Sequence, residues 1–457
     1  MSLGSRFYRQ KGRVTMEENE LMGSMKVSKA VAKMAIPSVI SSLVTVVYNM
    51  ADTFFVGQTG DPLQVAAVSL TNPIFILFMA FANMFGMGGS AAASMALGEK
   101  KEKRVKQVSS FITYASLIVG IVFAAILLVG MQPVLQLFGA DADTYELAKG
   151  YTTYISYGAP FIIWSAAASF VVRADGASRE AMAGSMIGTM ANIILDPIFI
   201  SGFGMGAAGA AIATTIGNIM ASVYYLWYFC RKSRNMSMAF RYFKCGDRIL
   251  SQVCSAGLPT AIFSALMSIS TIILNQILVA YGNAPVAAIG IVFKANMFIT
   301  FLQMGLANGV QPLLGYSYGA GNRERFITVE RYTKKCCLIV GVLATALFFF
   351  FREPIIRLFI SDTEVINYGV EMLIAYMISG PVIGILFMNM NCMQSTGNAL
   401  PATILSILRQ GVLLIPVLYG LNALLGLHGV IYGQALTDYV AVLLSIVIWR
   451  WKRRKTL

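Results

Sequence analysis

Residues 177–203 read ASREAMAGSMIGTMANIILDPIFISGF, a mostly apolar run that carries an amide, a carboxylate and a proline near its far end. Some 20 apolar residues suffice to cross the ~30 Å hydrocarbon core of a bilayer as a helix, so the run reads as a membrane span. Within it, Asn192-Ile193-Ile194-Leu195-Asp196-Pro197 sets Asn192 and Asp196 four residues apart, on one helical face. A carboxylate at that depth costs at least ~2.5–3.5 kcal/mol, and such groups usually face a cavity or an ion path. Pro197 removes a backbone donor beside it and weakens the helix there. An acid kept next to a helix break points to function rather than packing.

Outward from this stretch, apolar runs of similar length recur along nearly the whole chain. The 457 residues are 57% hydrophobic and 12% charged, with a mean hydropathy of +0.69. A soluble chain would carry roughly twice that charge fraction. The formal net charge of +14 does not mark a nucleic-acid binder, because its placement alternates. Basic residues cluster at Lys26–Lys33, Lys100–Lys106, Arg231–Arg248, Arg323–Lys335 and Arg450–Lys455, while Asp141, Asp143, Glu146, Asp362 and Glu364 fall in the loops between. That is the positive-inside pattern of a plasma-membrane protein with both termini cytoplasmic. The six cysteines form no CxxC and His428 is the single histidine, so neither a zinc site nor a disulfide framework is expected.

Twelve spans are expected, at about 30–58, 63–96, 108–131, 146–172, 178–203, 207–230, 250–281, 286–318, 333–351, 367–394, 400–422 and 428–450. Shifting the chain by about 221 residues superimposes its halves: Ala66-Ala67-Val68 on Ala287-Ala288-Ile289, Gly88 on Gly309, Gly98 on Gly319, Asp141 on Asp362, Pro160 on Pro381 and Gly176 on Gly397. Six spans per half is an even number, so the repeat is parallel. The fold class is therefore all-α integral membrane protein, with twelve transmembrane helices in two pseudo-symmetric six-helix lobes around a cleft. The expected organisation is a tail over 1–24, an N-lobe over 25–230, a cytoplasmic linker over 231–249, a C-lobe over 250–450 and a tail over 451–457. Symmetry also isolates chemistry. Asp196 falls near Pro416 and Val417, and Asp52 near Leu274 and Asn275, so neither acid has a partner in the second half.

Asp52, near the outer end of the first span, is expected to join Asp196. Two carboxylates in low dielectric cannot both ionise cheaply, so a proton or a sodium ion should be shared there. Thr214 lies among small residues in Ala210-Ala211-Ile212-Ala213-Thr214 on the sixth span, where helices can approach closely. The second half holds intramembrane charges of its own, Lys294, Arg409 and Asp438, which form either a structural ion network or, with Asp438 beside Lys294 or Arg409, a polar relay or substrate contact in the cleft.

The Asp52-Thr-Phe-Phe-Val-Gly stretch, the Asn192–Pro197 stretch and the Ala-Ala-x-Ala-Thr214 stretch resemble those of MATE (multidrug and toxic compound extrusion) transporters, nearest the DinF-like bacterial branch. The resemblance covers all twelve spans. It implies a proton- or sodium-coupled antiporter that needs no cofactor and expels organic, often cationic, amphiphiles by alternating access, with Asp52, Asn192, Asp196 and Thr214 as the N-lobe ion site. The acids that other branches keep on spans seven and ten are missing here apart from Glu371 near a span end, so no second site of that kind is expected. A complete cleft within one chain implies a monomer whose other contacts are lipid. An enzyme is not expected: Gly204-Met-Gly206-Ala-Ala-Gly209 follows a membrane helix and not a strand, and neither aspartate sits in an intramembrane-protease motif. The alternative is a lipid-linked precursor or polysaccharide flippase of the related exporter group, for which only Lys294 and Arg409 are available to hold pyrophosphate.

Overall fold

The computed structural model describes residues 20–246 and 248–457; residues 1–19 of the expected N-terminal tail and Asp247 of the linker lie outside them. The spans are α1 (Val27–Gly57), α2 (Pro62–Gly98), α3 (Glu102–Val129), α4 (Tyr145–Ala174), α5 (Ser178–Pro197), α6 (Gly206–Arg231), α7 (Ile249–Val279), α8 (Asn283–Gly319), α9 (Arg323–Phe350), α10 (Thr363–Ile378 and Gly380–Ser395), α11 (Ala399–Ile407 and Leu414–Leu425) and α12 (Leu427–Thr456). Among the described residues, eleven helices and one bent pair are long and apolar enough to cross a membrane. The charged stretch before the expected ninth span is itself helical. Asn322 caps it by accepting from the Arg325 amide at 2.9 Å, and Arg, Glu and Lys are good helix formers once a cap is present.

The repeat reappears as geometry. Pro62 and Asn283, Glu102 and Arg323, and Ser178 and Ala399 begin helices at equivalent places in the two halves, as do the short helices Met131–Leu137 and Arg352–Arg357. Gly120 on α3 packs so tightly on Pro160 of α4 that an added Cβ would lie 2.4 Å from its Cα, and the equivalent Gly341 meets Pro381 of α10 at 2.9 Å. The two prolines do different things. α4 runs through Pro160, whereas α10 bends by 45° between Ile378 and Gly380. Pro381 cannot donate to the preceding turn. The carbonyls left at the break are met by side chains, Met377 accepting from Thr345 Oγ1 at 3.2 Å and Ile378 from Tyr439 Oη at 2.9 Å, while Gln303 ties the Gly380 carbonyl to that of Cys337 at 3.2 and 3.0 Å.

The lobes are joined by reciprocal exchange. The start of α1 packs its Ala30, Val31, Met34 and Ala35 into the C-lobe core, and the start of α7 packs Ile249 and Val253 into the N-lobe core. Glycines allow backbone to meet backbone there. An added Cβ at Gly257 would lie 1.8 Å from the Met84 carbonyl oxygen, one at Gly88 1.9 Å from that of Val253, and one at Gly98 2.2 Å from that of Tyr316. All these contacts lie in the half of the bilayer next to the basic loops, called here the basic end.

The linker is docked rather than loose. Ser109 of α3 donates to the Ser237 carbonyl at 2.9 Å, Tyr114 donates to that of Met238 at 2.9 Å, and Tyr114 stacks edge-on against Phe240. At its start, the buried Asp175 carboxylate accepts from Tyr228 at 2.8 Å, Ser233 at 2.7 Å and Asn235 at 3.0 Å.

Candidate functional site

Close approach of α5 and α6 builds the N-lobe site. Each lacks a side chain where they cross, and a Cβ on Gly217 would fall 2.5 Å from the Gly188 carbonyl oxygen and 3.2 Å from Asn192 Cβ. One turn further on, Asn192 therefore reaches Thr214 across the interface. Beyond Pro197 the α-helical ladder gives way to a wider turn over Ile198–Gly202, in which the Phe203 amide donates to the Ile198 carbonyl at 2.9 Å. Such π-turns are common where a helix is interrupted at a functional site.

Asn192, Asp196 and Thr214 are all buried, Asp196 completely. With its amide nitrogen turned to the carboxylate, Asn192 donates to Asp196 Oδ2 at 3.1 Å and accepts from Thr214 Oγ1 at 3.1 Å. This orientation is set by the network, since the opposite one would face acceptor to acceptor. Tyr48 Oη lies 3.3 Å from Thr214 Oγ1. The result is a directed chain in which Tyr48 donates to Thr214, Thr214 to Asn192 and Asn192 to Asp196. It ends on a carboxylate whose Oδ1 is buried without a protein donor. Buried polar atoms are normally partnered, and an orphaned carboxylate oxygen at such depth suits a proton or a hard cation.

Asp52 is half-buried on α1, and no hydrogen bond joins it to Asp196 among the described residues. It lies one turn beyond Tyr48, whose hydroxyl reaches Thr214, and Tyr151 of α4 packs in one cluster with Val56 of α1 and Ala210 and Ala211 of α6. The structure thus gathers Asp52, Asn192, Asp196 and Thr214 in the acidic-end half of the N-lobe, with Pro197 at the break beside them. It adds Tyr48 and Tyr151. Tyr48 is four residues before Asp52, a spacing that puts both on one face; Tyr151 on α4 had no such signal. Among the described residues no cluster of three or more metal-ligating His, Cys, Asp or Glu side chains occurs.

The second-half charges separate into two groups. Arg409 donates through Nε to Asp438 Oδ1 at 2.8 Å, with both side chains buried. Gln434 adds a 3.0 Å bond to the same oxygen. The Arg409 guanidinium also lies over the Phe263 and Phe387 rings, at 5.2 and 5.5 Å. Arg409 sits in a second widened turn, Leu408–Val412, and Ser270 donates to the Gln410 carbonyl exposed there. Lys294 is apart from this pair: it is half-buried on α8, and among the described residues nothing bonds to it. Glu371 pairs with His428 at 2.6 Å near the acidic end.

A family model described as MatE matches residues 37–198 and 259–419, once in each half. The chain is 32% identical over 422 residues to the multidrug export protein MepA of Staphylococcus saprophyticus subsp. saprophyticus, covering 92% of this chain and 93% of that one. MepA of Staphylococcus aureus matches at the same identity and coverage. A crystal structure of MATE in complex with MaD3S superimposes with a TM-score of 0.90 at 26% identity, covering 95% of this chain and 97% of that one. The outward-facing conformation of a multidrug resistance MATE family transporter of the MOP superfamily does so at 0.87 and 26% identity, covering 94% and 96%.

Proposed function

The chain belongs to the MatE family, is a membrane-embedded transporter and not an enzyme, and on that premise we propose that it is a cation-coupled antiporter exporting organic, mainly cationic, amphiphiles. The observation that carries the proposal is the buried chain Tyr48–Thr214–Asn192–Asp196 with its unpartnered Asp196 Oδ1. Drug export is taken from the relatives; ion coupling rests on this site.

The state described has its lobes in contact at the basic end. A proton or sodium ion arriving from the acidic end meets Asp196 Oδ1 and neutralises the carboxylate to which Asn192 donates. The Asn192 donor bond weakens, and the chain back to Thr214 and Tyr48 loses its anchor. The widened turn after Pro197 lets the end of α5 move without breaking further backbone bonds. That movement alters the N-lobe wall of the cleft, so a bound organic cation is released as the ion is taken up. The basic end is cytoplasmic in this account, as are both termini, and one chain in the plasma membrane suffices.

A flippase would need several free cations on the cleft wall, whereas Arg409 is already committed to Asp438. The test is proton release in weakly buffered detergent solution on adding ethidium. Release that disappears in Asp196→Asn supports proton coupling through this acid; none in the parental protein, with ethidium affinity also indifferent to sodium, rejects ion exchange at the site.

A further inference from the structure

Lys294 is an ammonium at membrane depth that no carboxylate, carbonyl or ring meets among the described residues. An unpaired cation in a span costs ~2.5–3.5 kcal/mol and is retained where it faces a cavity. Its place on α8 says which cavity. Lys294 is eleven residues from Gly305, about three turns, so both lie on one stripe of the helix, ~16 Å apart along the axis. At Gly305 that stripe touches the N-lobe: an added Cβ would lie 2.8 Å from Val39 Cα on α1. At Gly290, one turn beyond Lys294, a Cβ would meet nothing within 4 Å, and Ala287, a further turn along, is exposed. The same stripe passes from closed contact to open space, with Lys294 at the start of the open part. The matching rise along α1 from Val39 and Ser42 leads to the level of Asp52. Half-buried Asp52 thus stands at this level on the N-lobe side, and on the C-lobe side the Lys294 ammonium has no partner among the described residues.

We propose that Lys294 is an anion-binding residue of the C-lobe wall, and that the cleft accepts amphiphiles carrying a carboxylate, held by an ion pair to this ammonium. The inference rests on the cleft described above but not on its substrates being cations. Cations and carboxylates would be held on opposite walls, so the two classes respond to different residues.

The test is equilibrium binding to the full-length protein in phosphatidylcholine nanodiscs, with two fluorescent probes: dansylaminoundecanoate, a carboxylate amphiphile, and ethidium. Lys294→Met is expected to weaken the dansyl probe about tenfold, the worth of one charged hydrogen bond, and to leave ethidium within about twofold. Lys294→Arg should retain both. Removing an unpaired charge favours insertion, and Lys294→Gln provides a second neutral variant. Unchanged dansyl affinity in the neutral variants, equal loss of both probes, or no dansyl binding by the parental protein would overturn the assignment. A parental protein that binds the carboxylate through Lys294 but ignores ethidium would support it while removing the cationic-substrate reading.

Discussion

Closure at the basic end depends on the absence of a side chain at Gly257, and Gly257→Ala measures how much. The new Cβ would lie 1.8 Å from the Met84 carbonyl oxygen. Carbon and its neighbours rest at about 3.5 Å, so α2 and α7 must part by ~1.5 Å or more at this crossing. The atom opposed is backbone within a helix and cannot swing aside. Overpacking a tight contact costs ~1–3 kcal/mol, and because this contact belongs to the basic-end-closed state, the cost falls on that state alone. A shift of ~1–3 kcal/mol changes the ratio of the two cleft states by about 5- to 150-fold. Spin labels at Lys103→Cys and Glu324→Cys, equivalent exposed positions in the first turns of α3 and α9, report the separation by pulsed EPR once the native thiols are replaced. A longer-distance population should appear or grow in Gly257→Ala, with transport slowed. An unchanged distance distribution in folded Gly257→Ala protein would refute the argument that this crossing holds the basic end closed.

Further outcomes follow from other contacts. Asp438→Leu strands the buried Arg409 guanidinium and should cost ~3–5 kcal/mol, read as lost thermal stability, whereas Arg409→Met with Asp438→Leu together should restore most of it; a loss in the double variant equal to the sum of the Asp438→Leu and Arg409→Met losses would mean the pair is not coupled. Thr214→Val removes the hydroxyl in the middle of the buried chain, leaves Asn192 only the Thr214 backbone amide as donor, at 2.9 Å, and should weaken coupling-ion affinity by ~0.5–1.5 kcal/mol while the protein still folds; parental transport in that variant would show that the chain is not used. Asp175→Asn loses a shared acceptor for Tyr228 and Ser233 and should speed tryptic cleavage at Arg241 and Lys244 several-fold by loosening the docked linker, a change checked by gel after brief digestion.

Much of the fold was legible because a bilayer demands it. Apolar length fixes spans, and the glycine and proline positions that recur at one offset include those that make backbone contacts in both halves, as Gly120 and Gly341 do. Asn192 and Asp196 could be linked in sequence because helical spacing acts locally, whereas Thr214 was joined to them only by the family resemblance and depends on the close crossing at Gly188 and Gly217. What escaped depended on rotation of one helix against another. Nothing in the sequence says that Arg409 faces Asp438 while Lys294 faces away, since all three lie near mid-span. Tyr151 was hidden for the same reason. The break in α10 was invisible because Pro160 and Pro381 look alike; the hydroxyls that meet the exposed carbonyls there, Thr345 and Tyr439, come from distant parts of the sequence.

The central claim is that a cation entering at Asp196 drives export, and vesicle transport tests it most directly. Ethidium movement is followed in proteoliposomes under an imposed proton gradient, then under an imposed sodium gradient, for the parental protein and for Asp196→Asn. The account predicts transport under one of the two gradients and its loss in Asp196→Asn with the protein still folded. Gradient-driven transport that survives in Asp196→Asn, or transport indifferent to both gradients, would contradict it.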